Sequence, residues 1–267
     1  VKAESGKTYF YKITSMNPET GVHSEKSDAI GCVFVSTPDI TGRENVAEGI
    51  ALKWNKVNGA TGYAIYRKSF DGADAWVRIA TVEGNDTFSW TDTAVATKNG
   101  TVYRYTIRAL GGADLKTLSG CRNTGRTMLR LSERSLNEVT AVGPTSVKCS
   151  WSTTNQATGY EVRFTDKNGK EKTFVVGNYK TGVKSFNDLA AGTKYSVDVR
   201  SYKKLDSVGT FYSAWSAKTE VTTPAKPTAT PTPTPVPTDS KYFEWKENED
   251  GTLTITGWKG GGRVTKA

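Results

Sequence analysis

Catalysis needs nucleophiles, proton carriers or metal ligands held in groups, and this chain offers few: one histidine, His23, and three cysteines, Cys32, Cys121 and Cys149. His23 stands alone in Asn17-Pro-Glu-Thr-Gly-Val-His23, so any zinc site or Ser/His/Asp arrangement built on imidazole would have to share it. The cysteines are odd in number and lack a C-x-x-C spacing, which points away from a disulfide framework or a zinc cluster. Cys149 alternates with Trp151 on an apolar strand face and reads as a small buried hydrophobe. Cys32 and Cys121 read as lying in the last strands of two different units, so a bond between them would couple units instead of stapling one. Carboxylates come close in sequence at Asp71/Asp74 and Asp86/Asp92, on hairpin tips, whereas glycoside hydrolysis needs two facing each other across a cleft. Gly260-Gly-Gly262 lacks the Lys-Ser/Thr ending of a phosphate loop. The expectation is a non-enzyme with no catalytic residue, no metal site and no cofactor. Trp76 and Trp90 are the candidates for ligand stacking. Alternation along Ala75-Trp-Val-Arg-Ile79 places Trp76, Arg78 and Ala80 on one outward face, with Trp90 at a sheet edge.

The elements that carry these residues are short strands. The chain has 26 Gly, 12 Tyr and 7 Trp in 267 residues and no apolar run of membrane-spanning length. The first residues show neither an initiator Met nor an apolar signal core, and the chain reads as a segment of something longer. Its formal charge of +9 is spread thinly: 0 over residues 1–37 (4 basic, 4 acidic), +3 over 38–129 (12, 9), +5 over 130–222 (14, 9) and +1 over 223–267 (6, 5). The densest basic runs, Lys167-Asn-Gly-Lys-Glu-Lys172 and Lys203-Lys204, read as solvated turn tips, which argues against nucleic-acid binding.

Segments repeat in register. Ile50-Ala-Leu-Lys-Trp54 and Gly59-Ala-Thr-Gly-Tyr63 return as Val147-Lys-Cys-Ser-Trp151 and Gln156-Ala-Thr-Gly-Tyr160, and both Trp and Tyr are displaced by 97 (151−54, 160−63). A third element appears three times, at Gly6-Lys-Thr-Tyr9, Gly100-Thr-Val-Tyr103 and Gly192-Thr-Lys-Tyr195. Period-two alternation with turns at Phe70-Asp-Gly72, Asp166-Lys-Asn-Gly169 and Ala191-Gly192 describes β-sandwiches of about 100 residues.

These anchors resemble the fibronectin type III module, in the variant found in surface and secreted proteins of Gram-positive anaerobes. The resemblance implies an all-β chain of tandem immunoglobulin-like sandwiches with cores on Trp54, Tyr63, Tyr103, Trp151, Tyr160 and Tyr195. It also implies that the Tyr195 hydroxyl ties back to the preceding corner. In 38–130, Lys98-Asn99 stands where Leu-x-x would precede Gly-Thr, which departs from the pattern at that turn. The expected division is a truncated module over 1–37 that frays alone, whole modules over 38–130 and 131–223, a disordered Pro/Thr-rich linker over 224–239, and a β-ribbon over 240–267. The linker holds six of the nine prolines and is expected to extend as polyproline II. The ribbon, turning at Asp250-Gly251 with Leu253 and Ile255 on one side, resembles the start of a bacterial surface leucine-rich repeat array.

On that resemblance the chain is expected to be a spacer and adhesion segment of an extracellular or cell-surface bacterial protein. Its modules would be monomeric and its partner another protein, cell wall or polysaccharide. The alternatives are the accessory region of a secreted glycoside hydrolase, or direct sugar or polyanion binding through Trp76, Trp90 and the basic tips.

Overall fold

The computed structural model describes residues 2–72, 74–228 and 240–259, which fall into two compact units on either side of the Lys226–Pro227 bond. Of the linker expected over 224–239, residues 229–239 lie outside the described residues, as does the Gly260-Gly-Gly262 run.

The first unit is all-β. It opens with a hairpin of β1 (Thr8–Tyr11) and β2 (Ile30–Val33), paired from Thr8↔Val33 to Tyr11↔Ile30. Then comes a sandwich of β3 (Ile40–Val46), β4 (Gly49–Trp54), β5 (Gly62–Ser69), β6 (Val77–Glu83), β7 (Ser89–Asp92), β8 (Val102–Gly111), β9 (Thr117–Leu118) and β10 (Arg126–Leu129). One sheet runs β3-β4-β7 and the other β10-β8-β5-β6, with β9 also on β8. A second sandwich repeats the plan with β11 (Leu136–Gly143), β12 (Ser146–Trp151), β13 (Gly159–Thr165), β14 (Glu171–Val176), β15 (Val183–Phe186), β16 (Lys194–Leu205), β17 (Gly209–Tyr212) and β18 (Thr219–Thr222). Its sheets run β11-β12-β15 and β14-β13-β16-β17, with β18 on β16. Pairing within the sheets is antiparallel throughout, and strands such as β4 and β12 bury alternate side chains between the sheets.

The alternation is visible strand by strand. On β4, Ile50, Leu52 and Trp54 are buried while Lys53 is exposed; on β12, Val147, Cys149 and Trp151 are buried while Lys148 is exposed. Trp54 packs on Tyr63 with ring centroids 5.4 Å apart, and Trp151 on Tyr160 at 5.6 Å. The two tyrosine hydroxyls accept equivalent backbone N–H groups, Val57 to Tyr63 at 3.0 Å and Thr154 to Tyr160 at 2.7 Å.

Two sequence expectations are corrected. Trp76, Arg78 and Ala80 do not share a face: a β-bulge between Ile65 and Tyr66 of the β5–β6 ladder places Arg78 opposite Tyr66 and Ala80 opposite Ile65. The extra residue leaves Arg78 on the outer face with Trp76 and turns only Ala80 onto the core. Cys121 is not in a strand but in the connection between β9 and β10, because the last strand of each sandwich is broken in two.

The second unit holds a ribbon of β19 (Phe243–Glu247) and β20 (Leu253–Trp258), closed around Asp250-Gly251. Leu253 and Ile255 on β20 are exposed, and Trp258 packs edge-on against Phe243 at 5.1 Å. No helix among the described residues is long and apolar enough to cross a membrane.

Candidate functional site

The residues singled out for chemistry do not converge. His23 is exposed, bridged across its turn to Met16, with Nδ1 3.4 Å from the Thr14 hydroxyl. Cys149 is 1 % exposed and burial pushes its thiol pKa up to about 11, so it stays protonated at neutral pH; Cys32 is exposed and Cys121 half-buried. Asp86 is exposed and pairs with Lys56, whereas Asp92 is buried and accepts from Arg67 Nη1 (2.6 Å) and the Tyr105 hydroxyl (2.9 Å). Burial, with the Asp92 charge behind it, raises the Tyr105 phenol, which therefore acts as a donor. Asp71 and Asp74 are exposed in the loop before β6. Among the described residues no group of three or more His, Cys, Asp or Glu side chains is placed to hold a metal.

The tryptophans are half-buried. Trp90 on β7 lies opposite Leu52 and packs against the first core. Trp76 reaches across the outer sheet face to Gly125, where a Cβ would overlap its ring, and Lys68 Nζ sits 5.1 Å from its centroid. Trp54, Tyr63, Tyr103, Trp151, Tyr160 and Tyr195 are all buried. The Tyr195 hydroxyl accepts the Ala190 N–H at 3.0 Å, and Tyr9 does the same for Glu4 at 2.8 Å. Around Tyr103 the corner is closed differently, by a 3-10 turn over Thr93–Val95 and a Lys98 N–H to Val95 carbonyl bond of 3.0 Å.

The most highly connected polar site lies where the chain passes from β10 to β11. Arg130 is only 1 % exposed and, among the described residues, meets no carboxylate in an ion pair. Its guanidinium donates to the carbonyls of Val46 and Gly49 (2.8 Å each), Ala47 (3.1 Å), Ala96 (3.0 and 3.1 Å) and Leu131 (3.3 Å). Burial lowers its pKa from the usual arginine value, and the fork of donors explains why this cation is tolerated here. Asn45 completes the knot: its Oδ1 accepts the Leu131 N–H at 3.1 Å, and its Nδ2 donates to Leu129 (2.9 Å) and to Tyr212 of the second sandwich (2.8 Å).

An apolar plug accompanies the knot. The β16–β17 hairpin of the second sandwich delivers Phe211, 6 % exposed, into the core of the first, with Leu205 and Val208 beside it. Opposite, the Ser132 N–H donates to Asn99 at 2.9 Å. Gly100 (φ +86°) lies so close to the Gln156 amide that any Cβ would collide with it. The preceding junction uses equivalent positions: Gly6 lies on Gly59, Ser5 donates to the Asn58 carbonyl at 2.6 Å, and Val35 is buried in the first core. Between β3 and the β17 end a groove of about 650 Å³ is lined by Arg43, Glu44, Met128, Arg200, Tyr212 and Trp215.

The outer face of the second sandwich carries a ladder that the sequence reading passed over. Arg163 lies 4.4 Å from the Trp215 centroid, Arg200 4.4 Å from Trp215 and 4.1 Å from Tyr212. Each arginine is held from below by acid, Arg163 by Asp198 and Glu171, Arg200 by Glu161. The available signal was charge of opposite sign on outward positions of adjacent strands, visible only once the register is known.

Residues 135–221 match the fibronectin type III domain, and the sandwich over residues 40–129 repeats the strand order of the one that contains them. Among solved structures it is similar to the FN1–FN3 domains of chicken CNTN1, with 17 % identity over 82 % of this chain and 78 % of that one and a TM-score of 0.39. It is also similar to a two-domain fibronectin type III segment of chicken tenascin, with 16 % identity over 71 % and 99 % and a TM-score of 0.32. None of the curated proteins matches the chain.

Proposed function

We propose that the chain is a non-catalytic spacer and interaction segment of an extracellular, multi-module bacterial surface or secreted protein. In this reading residues 38–130 and 131–223 form one stiff element, 1–37 is the end of a preceding module, and the Pro/Thr strip over 224–239 separates them from a leucine-rich-repeat-like module over 240–267. The observation that carries the reading is the joint. A buried arginine answering backbone carbonyls, an asparagine bonded to both sandwiches and a phenylalanine from one in the core of the other are what a spacer needs to transmit orientation. An accessory role beside a secreted hydrolase uses the same joint and differs only in what flanks it.

The test is single-molecule energy transfer in the full chain, with dyes on residues 58 and 167. A narrow distance distribution is expected for the native chain, and a broadened one for Arg130→Gln and for Asn45→Ala. A native distribution as broad as that of the variants would overturn the stiff-spacer reading.

A further inference from the structure

The same outer sheet face in the two sandwiches carries opposite electrostatics. Aligning the ladders through Tyr66 and Arg163 superposes positions pairwise. In the second sandwich Glu161 and Glu171 flank the arginine ladder and Asp198 lies beneath it, while Glu220 faces Ser196. The four corresponding places in the first sandwich hold Ala64, Trp76, Thr106 and Thr127, none of them acidic. Cations take the opposite course. Arg108 stands at the place of Arg200, and Lys68, Arg78 and Arg104 stand where the second sandwich has Thr165, Thr173 and Ser196.

The result is a face with Lys68 directly opposite Arg104, Arg78 beside Tyr66 and Arg108 two alternate places along β8. At sheet spacings this puts four cations within roughly 10 by 13 Å. None of the four forms an ion pair among the described residues. Arg78 donates to the Thr81 hydroxyl and Arg108 to the Ser119 carbonyl; Lys68 lies over Trp76 and Arg104 over Phe70, with Arg104 Nε buried and unpartnered. Acids border the face at Glu83, at its far end opposite Gly62, and in the loop before β6, where Asp74 lines one groove with Lys68 without forming an ion pair and Asp71 is exposed.

We infer that this face, with Lys68, Arg78, Arg104 and Arg108 and with Trp76 under Lys68, binds an acidic polysaccharide. Guanidinium forks pair bidentately with sulfate and carboxylate groups, and an extended chain can lie across a flat sheet. Single-stranded nucleic acid needs free ring faces on which bases stack, but Trp76 and Phe70 are already covered by cations. Duplex DNA is read by an element that enters a groove, and this face projects none. The inference rests on the interaction half of the proposed function and names its partner.

Titration calorimetry of the full chain with a heparin-derived dodecasaccharide at about 50 mM salt tests it. Binding is expected to weaken about tenfold or more in the triple variant Lys68→Thr, Arg78→Thr, Arg104→Ser, which installs the second sandwich's residues, with a salt slope lower by about two. Removing as much charge through Lys167→Gln, Lys170→Gln and Lys172→Gln should change affinity less than about twofold. Arg78→Glu alone, at an exposed side chain, should weaken binding about fivefold, which keeps the test decisive should the triple variant fold poorly. No binding by the native chain, or equal losses from both triple variants, would overturn the site. Tighter binding to duplex DNA or to phosphatidylserine vesicles would overturn the choice of partner. The energy-transfer measurement does not involve Lys68, Arg78, Arg104 or Arg108, so either idea can fail alone.

Discussion

The tyrosines show how one residue type at one repeated position acquires different work. Tyr195 closes its corner by accepting the Ala190 N–H, whereas the corner before Tyr103 is closed by the 3-10 turn and the Tyr103 ring lies 5.2 Å from the Arg67 guanidinium. Tyr195→Phe is therefore expected to cost about 1 kcal/mol in a denaturant melt of the second sandwich, and Tyr103→Phe less than about 0.5 kcal/mol in the first. Equal losses would mean the hydroxyl is not what separates the two sites. The departure Lys98-Asn99 was legible in the sequence as an irregular turn, but its replacement by a 3-10 turn was not, because that depends on the backbone bonds around Val95. Arg130 was also illegible. Nothing local separates it from a surface arginine, and all its carbonyl partners except Leu131 lie more than 30 positions away.

Among the elements, the split final strand is the most regular departure from a plain ladder. Between β17 and β18, the Ser213 and Ser216 hydroxyls take over as acceptors: the Ser201 N–H donates to Ser213 Oγ and the Val199 N–H to Ser216 Oγ, each at 3.0 Å. The serine amides complete the exchange by donating to the Ser201 (2.9 Å) and Val199 (2.8 Å) carbonyls. Ser119 does the same for Ala109 in the first sandwich. In the variant Ser213→Ala, Ser216→Ala, two buried N–H groups lose their acceptors at about 1–3 kcal/mol each. The Val199 and Ser201 amides should then exchange with solvent at least about tenfold faster, while Ala109 keeps its protection. Unchanged exchange at Val199 would show that another acceptor serves it. Alternation made β4, β12 and the first half of β16 readable in advance. The bulge in β6 and the serine breaks were not, since each is set by the register with a distant strand.

Over the whole first unit, the two sandwiches share one piece of core, since Phe211 belongs to the second by chain and to the first by contact. Phe211→Ala should destabilise the first sandwich by about 3–5 kcal/mol although the substitution lies in the second. Calorimetry should then resolve two transitions where the native chain gives one. A single transition, lowered as a whole, would place the damage in the second sandwich. The repeat of 97 made the tandem plan visible from sequence, whereas the joint was hidden because its partners do not repeat: Ala141 and Thr223 occupy the places of Asn45 and Arg130. The broken final strands bear on a hazard peculiar to chains with similar neighbours. Two alike sandwiches tethered together invite strands of one to pair with sheets of the other, and a long open edge is the template for that error. Here β9 has two residues and β10, β17 and β18 four each, with serine hydroxyls interrupting the run, so neither sandwich offers its neighbour a continuous edge on that side. The serines thereby guard against domain swapping and aggregation while the chain folds.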